Sequence, residues 1–240
     1  MCGRYVSPDE AAIERAWHIG RHNNNPFKRR FNVAPTALVP LLRLDPATGE
    51  LELALARWGL IPQWWKDDKP PRMTHNARME EAASKPMWRQ ALRHGRCLIP
   101  AEGWYEWQET QRIDPATGEI TAAKRPHFVY RPDRTLFCFA GLAALWTHPG
   151  DHNPMLTCAI FTKEAAESIA DVHPRMPVVL PTGSHRAWLD PALTDGSRAT
   201  AFLKQHAVGD FVHHAVSTRV NAASNDDEAL TQCPNDPPGN

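Results

Sequence analysis

Proline is the residue that most limits what this chain can fold into. The sequence contains 22 prolines in 240 residues. Each proline removes a backbone donor and keeps the residue before it out of helical geometry. Proline at this density therefore favours many loops and short helices over a helical bundle.

A repeated hexapeptide adds a second constraint on the fold. Asp-Pro-Ala-Thr-Gly-Glu occurs at 45–50 and again at 114–119, each time between two strand-like segments. Proline early and glycine late in a short polar segment are typical of turns. We interpret both copies as hairpin loops, which predicts antiparallel sheet on both sides of each.

The remaining pattern predicts strands and short helices in irregular order. Strands are predicted at 37–44, 51–58, 96–101, 126–130, 136–145, 155–161 and 211–216, with 126–130 and 136–145 forming a hairpin. Helices are predicted at 11–17 with a Ser7 cap, at 81–92 with a break at Pro86, at 162–171 with a Thr162 cap, at 184–189 and at 197–206. Because these elements do not alternate as βαβ units, the predicted class is α+β. No linker divides the chain, so we expect one domain over 1–231 and a disordered tail at 232–240.

Charge and cysteine content narrow the classes of function. The formal net charge is zero, so a nucleic-acid site would be a local patch rather than a global field. There is no apolar run of about 18 residues and no signal-peptide core, so we expect a cytoplasmic protein without a membrane span. Cys97, Cys138 and Cys158 lie in apolar segments, where a reduced cysteine acts as a small hydrophobe. No Cys–His spacing fits a zinc module, so we expect neither a metal nor a cofactor.

The amino terminus offers an unusual reactive group. Cys2 is small enough for Met1 to be removed in front of it. Removal would leave an amine and a thiol on one residue, and no other residue type provides this 1,2-aminothiol. The amine condenses with an aldehyde to an imine, and the thiol closes on the imine carbon to give a thiazolidine. With ordinary pKa values of about 8 for the amine and about 8.5 for the thiol, both groups need only modest help near neutral pH.

Two other side chains could handle protons. Glu106 shares a strand face with Trp104 and is flanked by aromatic residues, a setting that raises a carboxyl pKa by desolvation and makes it a proton shuttle. His173 lies on a loop stiffened by Pro174 and Pro177, and imidazole titrates near neutral pH. An exposed strand position for Glu106 and a structural role for His173 are the alternatives.

The segment after the second predicted strand suggests a nucleic-acid surface. Trp64 and Trp65 are adjacent in a proline-flanked loop, so an extended backbone turns them to opposite sides and leaves at least one exposed. An exposed tryptophan among basic residues suits base stacking, although a loop folded over the core would also account for the pair. Asn76 and Arg78 follow, where Asn76 can cap a helix and Arg78 needs an anion, either Glu80 or a phosphate.

These pieces in this order resemble the SRAP domain family of abasic-site processing proteins. The matching segments are Met1-Cys2-Gly3-Arg4-Tyr5, Asn32-Val33-Ala34-Pro35, Trp58-Gly59-Leu60-Ile61-Pro62 with Trp64-Trp65, Asn76-Ala77-Arg78-x-Glu80, Gly103-Trp104-Tyr105-Glu106-Trp107, and His173-x-Arg175-Met176-Pro177. Each segment is weak alone, but together, anchored by Cys2, they extend to about residue 226. The chain departs from the family at Glu81, where threonine is usual, and at His75, where a more apolar residue is usual.

The resemblance implies a fold and an activity. The implied fold has curved antiparallel sheets forming a barrel-like core, peripheral helices, and a DNA groove with Cys2 at its floor, lined by loops 62–72 and 173–177. The implied activity is removal of Met1 followed by covalent cross-linking of Cys2 to abasic sites in single-stranded DNA as a thiazolidine, which shields the lesion. The implied partner is single-stranded DNA containing abasic sites, bound by a monomer, at the nucleoid if the source is bacterial. Additional lyase activity stays open.

The resemblance also assigns roles by matching position. Cys2 is the nucleophile, Glu106 the proton shuttle, His173 the group that protonates the sugar oxygen, and Asn76 the residue that holds Cys2 and the sugar. The residues that the resemblance assigns to DNA binding are Gly3, Arg4, Pro35, Trp64, Trp65, Arg78 and Arg175. The arginines would contact phosphates and the tryptophans bases.

Two other functions share parts of this pattern. An amino-terminal-nucleophile hydrolase or amidotransferase would also use a free Cys2, but it predicts an acyl-enzyme and has no use for adjacent tryptophans. A non-covalent single-strand-binding module would keep the arginines and tryptophans but needs neither Cys2 nor Glu106. An adduct with abasic DNA that survives denaturation separates the three.

Overall fold

The computed structural model describes residues 2–19, 26–113, 117–150 and 152–234. Its strands, β1 to β13, span Tyr5–Ser7, Arg30–Val33, Leu38–Leu44, Leu51–Trp58, Asn76–Arg78, Arg96–Ala101, Gly103–Ile113, Ile120–Tyr130, Phe137–Thr147, Pro154–Glu164, Arg175–Pro177, Val179–Leu180 and Val212–Ala215. Its helices, α1 to α4, span Glu10–Trp17, Pro86–His94, His185–Leu189 and Gly196–His206. Among the described residues, no helix has the length and apolar character needed to cross a membrane.

Five strands close into a barrel, in the order β10, β4, β3, β6 and β9, with β9 pairing back onto β10. Neighbouring strands cannot alternate in direction all the way around a ring with an odd number of strands, so at least one pair must be parallel. That pair is β4 with β10, where Arg57 lies opposite Thr157. The expected α+β class and barrel-like core are confirmed, and for this geometric reason the sheet of the barrel is mixed rather than antiparallel throughout.

A second sheet packs beside the barrel, in the strand order β13-β8-β7-β1-β2, and all of its pairs are antiparallel. Trp104 and Val129 from this sheet share one buried cluster with Trp58 and Phe139 of the barrel. The rings of Trp104 and Phe139 meet edge to face, with centroids 6.1 Å apart. Burial of these large apolar side chains joins the two sheets and fixes where β1 and β7 lie over the barrel.

The repeated hexapeptide connects paired strands, as predicted. Residues 45–50 join β3 to β4, and Gly49 has a φ of +72° that favours glycine. The second copy joins β7 to β8, which pair as far as Ile113 opposite Ile120. Residues 114–116 of that copy lie outside the described residues.

The predicted hairpin between 126–130 and 136–145 is wrong. The first segment is the end of β8, which pairs with β7 and β13, whereas the second lies in β9, which pairs with β6, β10 and β12. β7 and β13 already occupy the two sides of β8, so the chain after Tyr130 joins the other sheet. The prediction of a hairpin rested on the short distance in sequence between the two segments, which does not show that they belong to different sheets.

Two predicted helix starts are displaced. Ser7 ends β1 instead of capping α1, and Asp9 is the cap, with its Oδ1 accepting the Ala12 N–H at 2.7 Å. Pro86 does not break a helix over 81–92 but occupies the first turn of α2, where the missing N–H of proline costs nothing.

The helix predicted at 162–171 is also wrong. β10 continues through Glu164 because Thr162 to Glu164 pair with β11. Only a single 3₁₀ turn follows, at Glu167–Ile169. The last two helices and the other predicted strands are present, with boundaries close to those expected. Of the tail predicted at 232–240, residues 235–240 lie outside the described residues.

Asn32 ties the carboxyl-terminal segment to the second sheet. Its buried Nδ2 donates to the carbonyls of Val220, Ala222 and Asn225 at 3.2, 3.1 and 2.9 Å. We expect Asn32→Ala to lower the free energy of unfolding by about 2 kcal/mol, because buried carbonyls lose their donor. Urea unfolding measures the difference. The exposed hairpin variant Gln111→Ala is the control, and an equally small effect of both substitutions would contradict this role.

Candidate active site

The amino-terminal segment enters the site by pairing with β7. Tyr5 lies opposite Trp104, and the Tyr105 N–H donates to the Arg4 carbonyl at 2.9 Å. This pairing runs residues 2–4 alongside β7 at the level of Glu106. The Cys2 side chain is fully buried there.

Asn76 holds the Cys2 backbone from the barrel side. It is the first residue of β5, which pairs in parallel with β10, and its Nδ2 donates to the Cys2 carbonyl at 2.7 Å. Its Oδ1 is buried and has no hydrogen-bond partner among the described residues. Asn76 thus fixes Cys2 with one end of its amide and offers an acceptor with the other.

Glu106 is a buried carboxyl, as the aromatic pattern predicted. Its side chain is 2% exposed, and its neighbours Trp104 and Tyr105 are fully buried. Burial raises the pKa of Glu106 to about 7. The carboxyl is therefore half protonated near neutral pH and can both accept and deliver a proton.

The pKa of the Cys2 thiol is higher than the sequence predicted. Burial, and then the charge of Glu106, raise the pKa of Cys2 well above its ordinary value. The modest help foreseen for the thiol is absent, because an apolar site beside a carboxylate disfavours a second negative charge. Near pH 7 this side chain is a neutral thiol.

His173 sits on a loop that docks against the face of β7 carrying Glu106. Gln108, two residues further along that face, donates its Nε2 to the Asp171 carbonyl at 3.1 Å. The Nδ1 of His173 lies 2.9 Å from the Arg175 backbone nitrogen and 3.0 Å from the Arg175 carbonyl oxygen, so the backbone of Arg175 holds the ring in place. Burial lowers the pKa of His173, which favours the neutral ring at pH 7.

The three candidate phosphate-binding arginines differ in how they are held. Arg4 donates to the carbonyls of Val220 and Asn221 at 3.1 and 3.4 Å. Arg175 makes a bidentate ion pair with Glu80, both bonds being 2.9 Å, and this hydrogen bonding lowers the pKa of that carboxyl. The ion-pair partner of Glu80 is therefore Arg175. The sequence had suggested Arg78, because Arg78 is only two residues away from Glu80.

Arg78 is the most accessible of these arginines. Its side chain is 55% exposed, and its one ion pair within the described part of the chain is a long contact of 3.8 Å with Glu81. Glu81 is also paired with Lys85, a hydrogen bond that lowers the pKa of Glu81. The unusual acid at position 81 thus has two cationic partners on its own surface.

The tryptophan loop, residues 62–72, has one exposed tryptophan ring, as predicted. Trp64 is 45% exposed, whereas Trp65 donates its Nε1 to the Lys69 carbonyl at 3.0 Å. A backbone bond from the Leu60 N–H to the Thr74 carbonyl, 3.0 Å long, pins the two ends of this loop. The two ends of the loop therefore lie side by side, and the second end is two residues before the strand that begins at Asn76.

Two predicted DNA-binding residues remain, Gly3 and Pro35. Gly3 is half-buried between Cys2 and Arg4, and Pro35 is half-buried in the turn that leads into β3. Trp58 donates its Nε1 to the His75 carbonyl at 2.8 Å, and the two rings meet edge to face. Burial lowers the pKa of His75, so the less apolar residue there is a neutral ring.

Sequence reasoning missed two histidines on this sheet. His127 on β8 lies directly opposite Glu106 on β7, and His213 on β13 contacts His127. Neither lies in a recognisable motif, and only the strand register brings them to the site. The one signal available was the hairpin loop predicted from the sequence at 114–119, from which the pairing of 106 with 127 can be counted.

The fold is shared with solved structures. A protein from Bacteroides thetaiotaomicron superimposes with a TM-score of 0.76 at 20% identity, covering 97% of this chain and 99% of that one. A phage-related protein from Bordetella bronchiseptica gives a TM-score of 0.66 at 28% identity, covering 90% and 95%. The chain thus belongs to an established α+β barrel class.

Sequence comparison identifies the family. The family described as SOS response associated peptidase (SRAP) matches residues 1–223. Abasic site processing protein YoqW of Bacillus subtilis (strain 168) is 34% identical over 97% of this chain and 99% of its own length. Abasic site processing protein YedK of Escherichia coli (strain K12) is 32% identical over 85% and 84%. The chain belongs to the SRAP family.

Proposed function

We propose that this chain traps abasic sites in single-stranded DNA by forming a thiazolidine with its amino-terminal cysteine. The observation that carries the proposal is a fully buried Cys2 held by Asn76 beside a carboxyl with a pKa of about 7. The relatives named as abasic site processing proteins support the choice of substrate. The chain acts as a monomer, without a metal or cofactor, in one domain over residues 1–231.

The first step is removal of Met1. Glu106 accepts a proton from a water molecule that attacks the Met1 carbonyl carbon. The bond from that carbon to the Cys2 nitrogen breaks, and Glu106 delivers the proton to the departing nitrogen. One water is consumed, methionine is released, and a free aminothiol remains at Cys2.

The second step joins the protein to DNA. The open form of an abasic deoxyribose presents an aldehyde at C1′, and the Cys2 amine adds to it. As the hemiacetal opens, the proton of the anomeric hydroxyl moves to the ring oxygen of the sugar, and the neutral His173 ring relays that proton by taking it up and giving it back. Glu106 protonates the departing hydroxyl and takes up the proton that the nitrogen loses, so water leaves and a neutral imine forms.

The thiol then closes the ring. The Cys2 Sγ attacks the imine carbon, and the thiol proton ends on the ring nitrogen. The raised pKa of the thiol suits this order, because a neutral thiol does not compete with the amine for the aldehyde. The free Oδ1 of Asn76 accepts a hydrogen bond from the Cys2 amine or a sugar hydroxyl and so orients the attack.

DNA lies across Cys2 between the tryptophan loop and the His173 loop. Arg78 and Trp64 are available to phosphate and base at once, whereas Arg4 and Arg175 already have partners in the protein. A phosphate at Arg175 shares that guanidinium with Glu80 or displaces it. Gly3 and Pro35 provide close backbone approach, and Trp65 supports Trp64 from behind.

A denaturing gel tests the proposed function. The protein is mixed with oligonucleotides that are identical except for one abasic site, one intact base or one reduced abasic site that lacks the aldehyde. We expect a heat-stable adduct with the first oligonucleotide alone. An amino-terminal-nucleophile hydrolase and a non-covalent binding module would both give no adduct with any of the three oligonucleotides. The absence of an adduct with the abasic oligonucleotide would therefore overturn the proposal. Strand cleavage on the same gel reports lyase activity.

Trp64 is expected to carry base stacking. We expect Trp64→Ala to weaken binding of single-stranded DNA about 10-fold, since stacking on an aromatic ring is worth roughly 1–3 kcal/mol per base. Fluorescence anisotropy with an undamaged oligonucleotide measures this loss without the covalent step. Ile120→Ala removes an exposed apolar side chain at the far end of the hairpin and serves as the control. Equal affinities of both variants and the wild type would exclude Trp64 from the DNA path.

A further inference from the structure

His127 faces the same side of the sheet as Glu106. The two residues are directly opposite in the antiparallel ladder of β7 and β8, and such pairs project from one face with Cβ atoms about 5 Å apart. The His127 side chain is only 7% exposed, and its Nε2 is buried with no hydrogen-bond partner among the described residues. A buried nitrogen of this kind beside a titrating carboxyl calls for an explanation.

A row of polar groups leads from His127 to solvent. Its Nδ1 lies 3.1 Å from the Nδ1 of His213 on β13, and the Nε2 of His213 lies 3.4 Å from the Asp171 carboxylate. The Asp171 side chain is 60% exposed. The row therefore starts opposite the buried Glu106 and ends at the protein surface.

One arrangement of protons makes this row continuous. With the proton of His213 on Nε2, which lies 3.4 Å from the Asp171 carboxylate, its Nδ1 is an acceptor. The Nδ1 of His127 is then the donor between the two rings, which leaves the Nε2 of His127 as an acceptor. β13 pairs with one side of β8, and β7, which carries Glu106, pairs with the other.

We propose that His127 and His213 form a proton relay that connects Glu106 to solvent at Asp171. No hydrogen bond joins His127 Nε2 to Glu106 directly, so a proton passes from the Glu106 carboxyl through a water molecule to His127 Nε2. It then passes from His127 Nδ1 to His213 Nδ1, and from His213 Nε2 to Asp171 and solvent. Each ring gains one proton and loses one, so the sum is one proton moved from Glu106 to solvent. The reverse sequence recharges Glu106.

The relay rests on the proposed function and adds what that function lacks. Glu106 ends the removal of Met1 as a carboxylate but must be protonated before it can protonate the departing hydroxyl in imine formation, while DNA lying over the cleft shuts out bulk water. The charged and titratable groups facing His127 are Arg125 on its own strand, His213 and His214 on β13, Asp171 from the loop and Glu106 from β7. Burial, and then His213, lower the pKa of His127 to about 4, which keeps it a neutral carrier at pH 7.

The test is the rate of cross-link formation in a single turnover, measured from pH 5.5 to pH 8.5. We expect His127→Phe, which keeps a ring but has no nitrogen, to form the same adduct about 10-fold more slowly, with a changed pH profile. His213→Ala, at the more accessible end, should be slowed similarly and should recover in added imidazole. His214→Asn, on the same strand, is the control and should match the wild type.

The outcomes separate the relay from the proposed function. An adduct that forms at the wild-type rate and with the wild-type pH profile in both His127→Phe and His213→Ala overturns the relay and leaves the proposed function intact. A slowed His213→Ala that imidazole does not restore also overturns it, since that result indicates a structural role. If the wild type forms no adduct, the proposed function itself has failed. Should His127→Phe not fold, the rate of His213→Ala and its rescue decide.

Discussion

Replacing Cys2 by alanine is expected to abolish the heat-stable adduct with abasic DNA altogether. Alanine keeps the free amine but lacks the sulfur, so the reaction can proceed only as far as the imine, which water hydrolyses. Borohydride reduction should therefore still trap the Cys2→Ala protein on DNA, whereas heating without borohydride should release it. Denaturing gels run with and without the reductant measure both states.

Two companion variants sharpen this result. Cys2→Ser keeps an amine and a hydroxyl, and the weaker oxygen nucleophile should give an adduct that heat removes. Cys233→Ala removes an exposed cysteine and should cross-link like the wild type. A heat-stable adduct from Cys2→Ala at the wild-type level would show that another residue is the nucleophile.

Replacing Glu106 by glutamine is expected to slow cross-link formation about 100-fold or more, because glutamine cannot exchange protons. The wild-type rate should change with a midpoint near pH 7, the value to which burial raises the pKa of Glu106. The Glu106→Gln variant should lose that midpoint. Single-turnover rates across pH measure both effects.

The same variant has an effect on stability that does not involve DNA. Glu106 has an ordinary pKa of 4.5 and a folded pKa of about 7, so the folded state binds the extra proton between those values. The stability that this proton brings is fully present below pH 4.5 and is lost as the pH rises to about 7. Glutamine resembles the protonated carboxyl, so Glu106→Gln should be more stable than the wild type at pH 8, by at most about 3 kcal/mol, and close to it at pH 4.5.

The matched control for both readouts is Glu109→Gln, an exposed acid on the same strand and the opposite face. It should change neither the cross-linking rate nor the melting temperature. Identical melting of Glu106→Gln and the wild type at pH 8 would mean that the carboxyl is not held in a desolvating environment. A Glu106→Gln rate close to the wild-type rate would remove Glu106 from the chemistry.

Local sequence patterns predicted the parts of this molecule that local physics decides. Alternation of aromatic residues around Glu106 is a property of one strand, and it led to a buried carboxyl with a raised pKa. The turn chemistry of the repeated hexapeptide likewise led to two correct hairpins. In both cases the residues that determine the outcome lie within a few positions of one another.

Features that depend on contacts between segments far apart in sequence could not be predicted from local patterns. β10 runs on through Glu164 because β11 pairs with it, and this partner lies beyond the segment in which a helix was predicted. The parallel pair of β4 and β10 follows from closure of a five-stranded ring. The pairing of Arg175 with Glu80 likewise joins β11 to the turn after β5, and these segments are far apart in sequence.

The most direct measurement of the central claim is the intact mass of the protein after incubation with an oligonucleotide carrying one abasic site. We predict a species whose mass is that of the chain without Met1 plus the oligonucleotide, less one water. Fragmentation should place the added mass on Cys2. An adduct that retains Met1, or one attached to a lysine elsewhere in the chain, would contradict the account.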